Sequence, residues 1–149
     1  MNTVNGQGEM MNVAGKKNIV VGTAYFVLTL GLGMFLMKML QGQDPLWMDS
    51  PVRKMLAGAH LHGSLEALIN ILFGYLIYRF GARMPLVSNI ASWLLIGGLL
   101  HSGSAYLAGI GMTAVKTVAP FGAVSLIAGI VLMLPVLVKG VDSEYSDSA

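Results

Sequence analysis

Hydrophobic side chains run along this chain in four long blocks rather than in short alternating stretches. Residues 18–40 (NIVVGTAYFVLTLGLGMFLMKML), 57–80, 86–111 and 118–138 are each predominantly apolar. Each is about as long as the roughly 20 residues a helix needs to cross the hydrocarbon core of a bilayer. The pattern predicts an all-α fold, an integral membrane four-helix bundle. It divides the chain into a polar N-terminal segment (1–17), a four-helix membrane domain (18–138) and a polar C-terminal tail (139–149). An even number of spans puts both termini on one side.

The block edges carry the residues a membrane surface favours. Lys16 and Lys17 precede the first span, Arg53 and Lys54 the second; Arg79 and Arg83 bracket the second turn, and Lys116 and Lys139 flank the fourth span. Lys16, Lys17, Arg79, Arg83 and Lys139 on the terminal side stand against Lys38, Arg53, Lys54 and Lys116 on the other. That small excess leans towards cytoplasmic termini. The expectation is a multi-pass protein of a bacterial inner membrane. The first loop, QGQDPLWMDSPVRK, holds a Ser50-Pro51 pair that reads as a helix cap followed by proline at the first helical position, so the second helix begins outside the hydrocarbon. Trp47 reads as an interfacial anchor, and the tail DSEYSDSA as disordered. The first fifteen residues are polar and the apolar run after them is too long for a cleavable signal peptide.

Composition sharpens this picture. The chain has 149 residues, 55% hydrophobic and only 11% charged, too little charge to coat a soluble domain of that size. A net charge of +2, scattered along the chain, gives no footprint for nucleic acid. Without cysteine, a disulfide framework and thiolate metal sites are excluded, and a metal or haem must be held by His, carboxylate, Met or Tyr.

One stretch breaks the apolar monotony: GAHLHGSLEALIN, residues 58–70. His60 and His62 are separated by about 200° of helical turn, so they cannot chelate one metal together and each needs its own partner. His62, Glu66 and Asn70 fall at i, i+4 and i+8 and make one polar stripe, whereas His60 shares its face with Ser64 and Ala67. In the third block, Gly97, His101, Ser104, Ala108 and Gly111 share a face small enough for close helix approach, and Ser102 and Tyr106 edge it. Counted at 1.5 Å per residue, His60, Glu66, His101 and Tyr106 fall in one layer to within about one helical turn. Ionisable groups at that depth are costly and therefore candidates for function. Gly31, Gly33 and the methionines of GMFLMKML read as packing or lipid-facing positions.

These residues resemble a known family. The Ala-x-Ala-His motif at 57–60, the four-helix layout, the late Tyr106 and the opening AGKKNIVVGTAYFVLTLGLGMFLM, with its Gly-x-Gly at 31–33, are similar to the membrane-bound styrene oxide isomerases. The resemblance implies that His60 is the axial ligand of a b-type haem held between subunits of a trimer. The ferric iron then acts as a Lewis acid on an apolar epoxide, which opens and rearranges by a 1,2-hydride shift to an aldehyde. It also places Tyr106, Glu66 and Ser102 near the iron; His62, by its spacing from Glu66, and His101, by its depth and small-residue face, are further cofactor-binding candidates on the residues alone. Three positions depart from the family pattern: Glu66 stands where the family has Asn, Gly98 where it has Asp, and Ser102 where it has a second Asn. His62 and His101 have no family equivalent.

Two other functions fit the same residues. His101 or another His could close the sixth coordination position of a haem, making an electron carrier or sensor. Alternatively, His62, Glu66 and His101 form a proton or metal relay without haem. In every case the partners expected are the lipid bilayer, further copies of the chain, and no nucleic acid.

Overall fold

The computed structural model describes the backbone over 3–147 and side chains over 13–142. The helices are α1 (Thr3–Gln41), α2 (Pro45–Met48), α3 (Pro51–Phe80), α4 (Pro85–Gly98), α5 (Leu100–Gly109) and α6 (Ala119–Asp147), with 3-10 turns at Gly81–Arg83 and Thr113–Val118. Among the described residues there is no strand. Four segments are long and apolar enough to cross a membrane: Val13–Gln41, Pro51–Arg83, Pro85–Gly109 and Thr113–Asp142. The protein is an all-α, multi-pass integral membrane bundle. Its outward surface is apolar, as contact with lipid requires: Leu28, Met34, Leu61 and Phe121 are exposed.

Local chemistry sets several boundaries where the sequence pattern put them. The Ser50 hydroxyl accepts the Val52 N–H at 3.1 Å, and Pro51 opens α3 as expected. Asp44 caps α2 in the same way, accepting from Leu46 N at 3.0 Å. Trp47 packs edge-on to Phe35 with centroids 6.1 Å apart. On the opposite membrane face Lys17 Nζ lies 3.5 Å from the centroid of Trp93, a cation–π contact suited to an interfacial anchor.

Two expectations are corrected. The tail read as disordered continues α6 as far as Asp147, because helix in progress adds a backbone hydrogen bond for each further residue. The third span is not one helix. Leu99 N turns to Ile96 O at 3.1 Å, a tighter i→i−3 bond, and separates α4 from α5 directly after the Gly97-Gly98 pair. α6 presses on this break, where a Cβ on Gly122 would collide with the backbone of Leu100 and His101. The break detaches Gly97 from the face it was expected to share with His101; Gly97 meets Ser125 of α6 instead.

α1 and α3 make the most extensive helix contact, and glycines permit it. A Cβ on Gly15 would lie 2.6 Å from the Gly74 carbonyl oxygen, and one on Gly22 would lie 2.9 Å from that of Ala67. A buried apolar cluster of Ala14, Ile77, Ala91, Leu95, Met133 and Val136 joins the helices at the terminal end.

Next to it sits a fully buried polar knot. Asn18 Nδ2 donates to Asn70 Oδ1 at 3.0 Å and to the Ser92 carbonyl at 3.1 Å, and Ser92 Oγ donates back to Asn18 Oδ1 at 2.5 Å. Asn70 Nδ2 donates to the carbonyls of Leu95 at 2.9 Å and Glu66 at 3.1 Å. Three spans are thereby pinned in register. Asn70→Leu is expected to cost about 1–2 kcal/mol, and Asn18→Leu about the same. The double variant should lose clearly less than the sum, because each single change already orphans the other's partner. Reversible unfolding in mixed detergent micelles measures all three.

Candidate functional site

The polar residues of α3 separate into two neighbourhoods, divided by the α1–α3 contact. Ala59 and His60 are adjacent in the chain, yet Ala59 lines an inner cavity while His60 lines an outer groove.

His60 is held by α1. Its Nδ1 lies 2.8 Å from the carbonyl oxygen of Thr29. A carbonyl only accepts, so Nδ1 carries a proton, and in the neutral ring Nε2 keeps its lone pair. Thr29 is itself fixed: its hydroxyl donates to Phe26 O at 2.8 Å and is 3.1 Å from Ser64 Oγ, which in turn lies 2.8 Å from the His60 carbonyl. Ser64 thus buttresses the backbone and Thr29 orients the ring. The imidazole lies over Gly33, where a Cβ would stand 2.6 Å from Cε1 and 3.0 Å from Nε2. Gly33 is therefore a seat for His60. Gly31, read from sequence as a packing residue, faces open space.

The groove before His60 measures about 670 Å³ and is walled by Leu30, Gly33, Met34, Met37, Lys38 and Gln41 of α1. Met34 and Met37 of GMFLMKML belong to this wall. One unprotonated imidazole nitrogen, a glycine seat, apolar walls and a cation at one end are a donor set that fits a haem with a single protein ligand.

Glu66 heads the second neighbourhood. It is 2% exposed, and α5 meets both its oxygens. His101 Nδ1 lies 2.8 Å from Oε1, while Ser102 supplies its N–H at 3.4 Å and its hydroxyl to Oε2. Tyr25 of α1 extends the network, its hydroxyl 2.8 Å from Ser102 Oγ. His62 stands outside, edge-on to His101 with ring centroids 5.1 Å apart. The pairing suggested by the i, i+4 spacing of His62 and Glu66 is replaced: the carboxyl turns inward across the helix contact, where His101 and Ser102 satisfy it, and His62 remains exposed. Among the described residues no group of three or more His, Cys, Asp or Glu side chains is placed to hold a metal ion.

Tyr106 occupies neither cluster. With Tyr25, Leu28, Thr29, Gly103 and Leu107 it lines the inner cavity, about 270 Å³. The sequence candidates therefore divide as His60 alone in the groove, Glu66, His101, Ser102 and His62 in one connected network, and Tyr106 in the cavity beside it. His101 is not among the residues lining the groove before His60.

No protein-family model, curated protein or solved structure matched this chain. The site therefore has to be read from its own geometry. That geometry adds Tyr25, Thr29 and Asn18 to the residues singled out in the sequence. A signal for them existed: Asn18, Gly22, Tyr25, Thr29 and Gly33 recur every three or four residues, a small and polar stripe along an otherwise apolar helix.

Proposed function

We propose that this chain is a haem b-dependent membrane isomerase resembling the styrene oxide isomerases, acting on a small apolar epoxide drawn from the bilayer. The observation that carries the reading is the presentation of His60: Nδ1 committed to Thr29 O, Nε2 left with its lone pair, and the ring seated on Gly33 before a large groove. Bound there, haem would supply a ferric Lewis acid able to polarise the epoxide oxygen. His60 would hold the iron, with Thr29 keeping the imidazole in the ligating tautomer. Lys38 is suited to pair with a propionate, and Leu30, Met34 and Met37 exclude water from the apolar face.

The groove lies on the outside of the protomer, and Tyr106 lies on the other side of the α1–α3 contact. A haem seated on His60 would thus meet a second copy of the chain on its far face. A closed ring of copies, a trimer by the family resemblance, repeats one such contact head to tail. It is the arrangement in which Tyr106, partly exposed on its own copy, can serve the groove of the next, whereas Glu66 and Ser102 stay buried within their own copy. The membrane is proposed to be a bacterial inner membrane, with the termini in the cytoplasm.

The test is the absorption spectrum of the detergent-purified, haem-supplied protein beside a His60→Ala variant. A Soret band present in the wild type and lost in the variant is expected. A haem-supplied wild type without that band would overturn the reading. A six-coordinate, low-spin spectrum would instead assign the groove to electron transfer or sensing. The thioethers of Met34 and Met37 in the same groove as His60 favour that second reading.

A further inference from the structure

The His60 groove leaves a separate set of polar groups without a task. Glu66 is a carboxyl buried in the middle of a membrane helix, a placement that is expensive unless its partners compensate for it. Its surroundings are fully specified by the packed helices. α5 contributes His101 and Ser102, α1 contributes Tyr25 through Ser102, and His62 of α3 lies against His101. α4 and the stretch 119–138 of α6 contain no ionisable side chain. Tyr25, His62 and His101 are thus the titratable groups around this carboxyl among the described residues.

The network has two ends. One is His62, exposed on the bundle about 12 Å along the helix axis from Lys54. The other is Tyr25, in the wall of the 270 Å³ cavity, which opens towards the bilayer past Leu28 and Tyr106. Between them Ser102 acts as a reversible joint, because its hydroxyl has a single proton. When Glu66 is ionised, Ser102 donates to Oε2 and accepts from Tyr25. When Glu66 is protonated, both bonds can reverse, and the Tyr25 proton turns towards the cavity.

We propose that this cavity is a binding site for a small apolar molecule with one accepting oxygen, such as a ketone or ether, that Tyr25 donates a hydrogen bond to that oxygen, and that Glu66 becomes protonated when it does. The proton count closes. Glu66 takes one proton from the imidazolium of His101, in contact with His62, and donates it in a hydrogen bond to Ser102 Oγ; Ser102 donates its own to the Tyr25 oxygen, and Tyr25 donates its own to the ligand. Each hydroxyl keeps its proton, and the net change is one proton moved from the imidazole pair to the Glu66 carboxylate. The walls choose the ligand class: Leu28 and Leu107 contact an apolar body, and the Tyr25 phenol marks where its oxygen sits. This inference does not rest on the His60 reading, and its test is run in the His60→Ala background so that loss of haem leaves it untouched.

Isotope-edited infrared difference spectra of the full chain in detergent, with and without carbonyl-labelled acetophenone, provide the test. Binding should shift the ketone carbonyl band to lower frequency and raise a protonated-carboxyl band. Tyr25→Phe should abolish both and weaken binding about tenfold, the value of one hydrogen bond. Ser102→Ala and Glu66→Gln should each abolish the carboxyl band while acetophenone still binds. Leu107→Trp, which fills the cavity from its partly open side, should abolish binding. An unshifted ketone band, a shift without a carboxyl band, or unchanged binding in Leu107→Trp would each overturn the proposal.

Discussion

Replacing Glu66 by alanine is expected to destabilise the bundle by about 3 kcal/mol, at the lower end of what breaking a buried charged pair costs. The carboxyl accepts from His101 Nδ1 and from two groups of Ser102, and all three donors lose this acceptor together. Ser102 is 1% exposed; its hydroxyl keeps the Tyr25 hydroxyl as a partner, so the cost falls on its N–H and on His101 Nδ1. The imidazole of His101 retains 32% side-chain exposure, and for that reason the loss falls at the lower end of the range. Glu66→Gln keeps the shape and one acceptor, and should lose only about 1 kcal/mol. Denaturation of both variants in mixed micelles separates the two contributions. Equal losses would mean that side-chain volume, rather than hydrogen bonding, is what the site requires.

Gly74→Leu should act at least as strongly, with a loss of about 3 kcal/mol or more. A Cβ there would stand 2.9 Å from the Gly15 carbonyl oxygen and 2.9 Å from Ile19 N. These are backbone atoms of α1, which cannot rotate aside as a side chain would. The helices must separate along their most extensive contact, and the Asn18–Asn70 bond is pulled apart with them. Gly31→Leu provides the contrast, since a Cβ at Gly31 meets nothing within 4 Å and the variant should unfold like the wild type. Thermal aggregation and detergent titration of the pair read the difference directly.

The two expectations depend on a property the residue types do not announce. Gly31 and Gly74 are both helix glycines in apolar blocks, and hydropathy treats them alike. Which one touches a neighbour depends on how α1 and α3 are rotated about their axes. The same holds for the polar positions. Asn70 reads as an extension of the His62–Glu66 stripe, yet it closes a knot with Asn18 and Ser92 and carries the adjacent layer of the core. Asn18 sits at the start of the first block, where a surface position is the natural reading, and is wholly buried.

Sequence alone determined the quantities that depend on transfer into lipid and on local backbone chemistry. The four spans, the all-α class and the start of α3 at Ser50-Pro51 follow from apolar length and capping, both local in the chain. The presence of candidate groups in 58–70 was equally legible, because an ionisable side chain in hydrocarbon stands out before its partners are known. Partnership was decided only by tertiary structure. His101 rather than His62 reaches Glu66, Thr29 rather than Ser64 orients the His60 ring, and Tyr25 joins a network that spacing along α3 never touches. The physical reason is that in a bilayer the hydrophobic effect does not select one apolar helix face over another. Helix rotation is left to close glycine contacts and interhelical hydrogen bonds, which act between residues far apart in the chain.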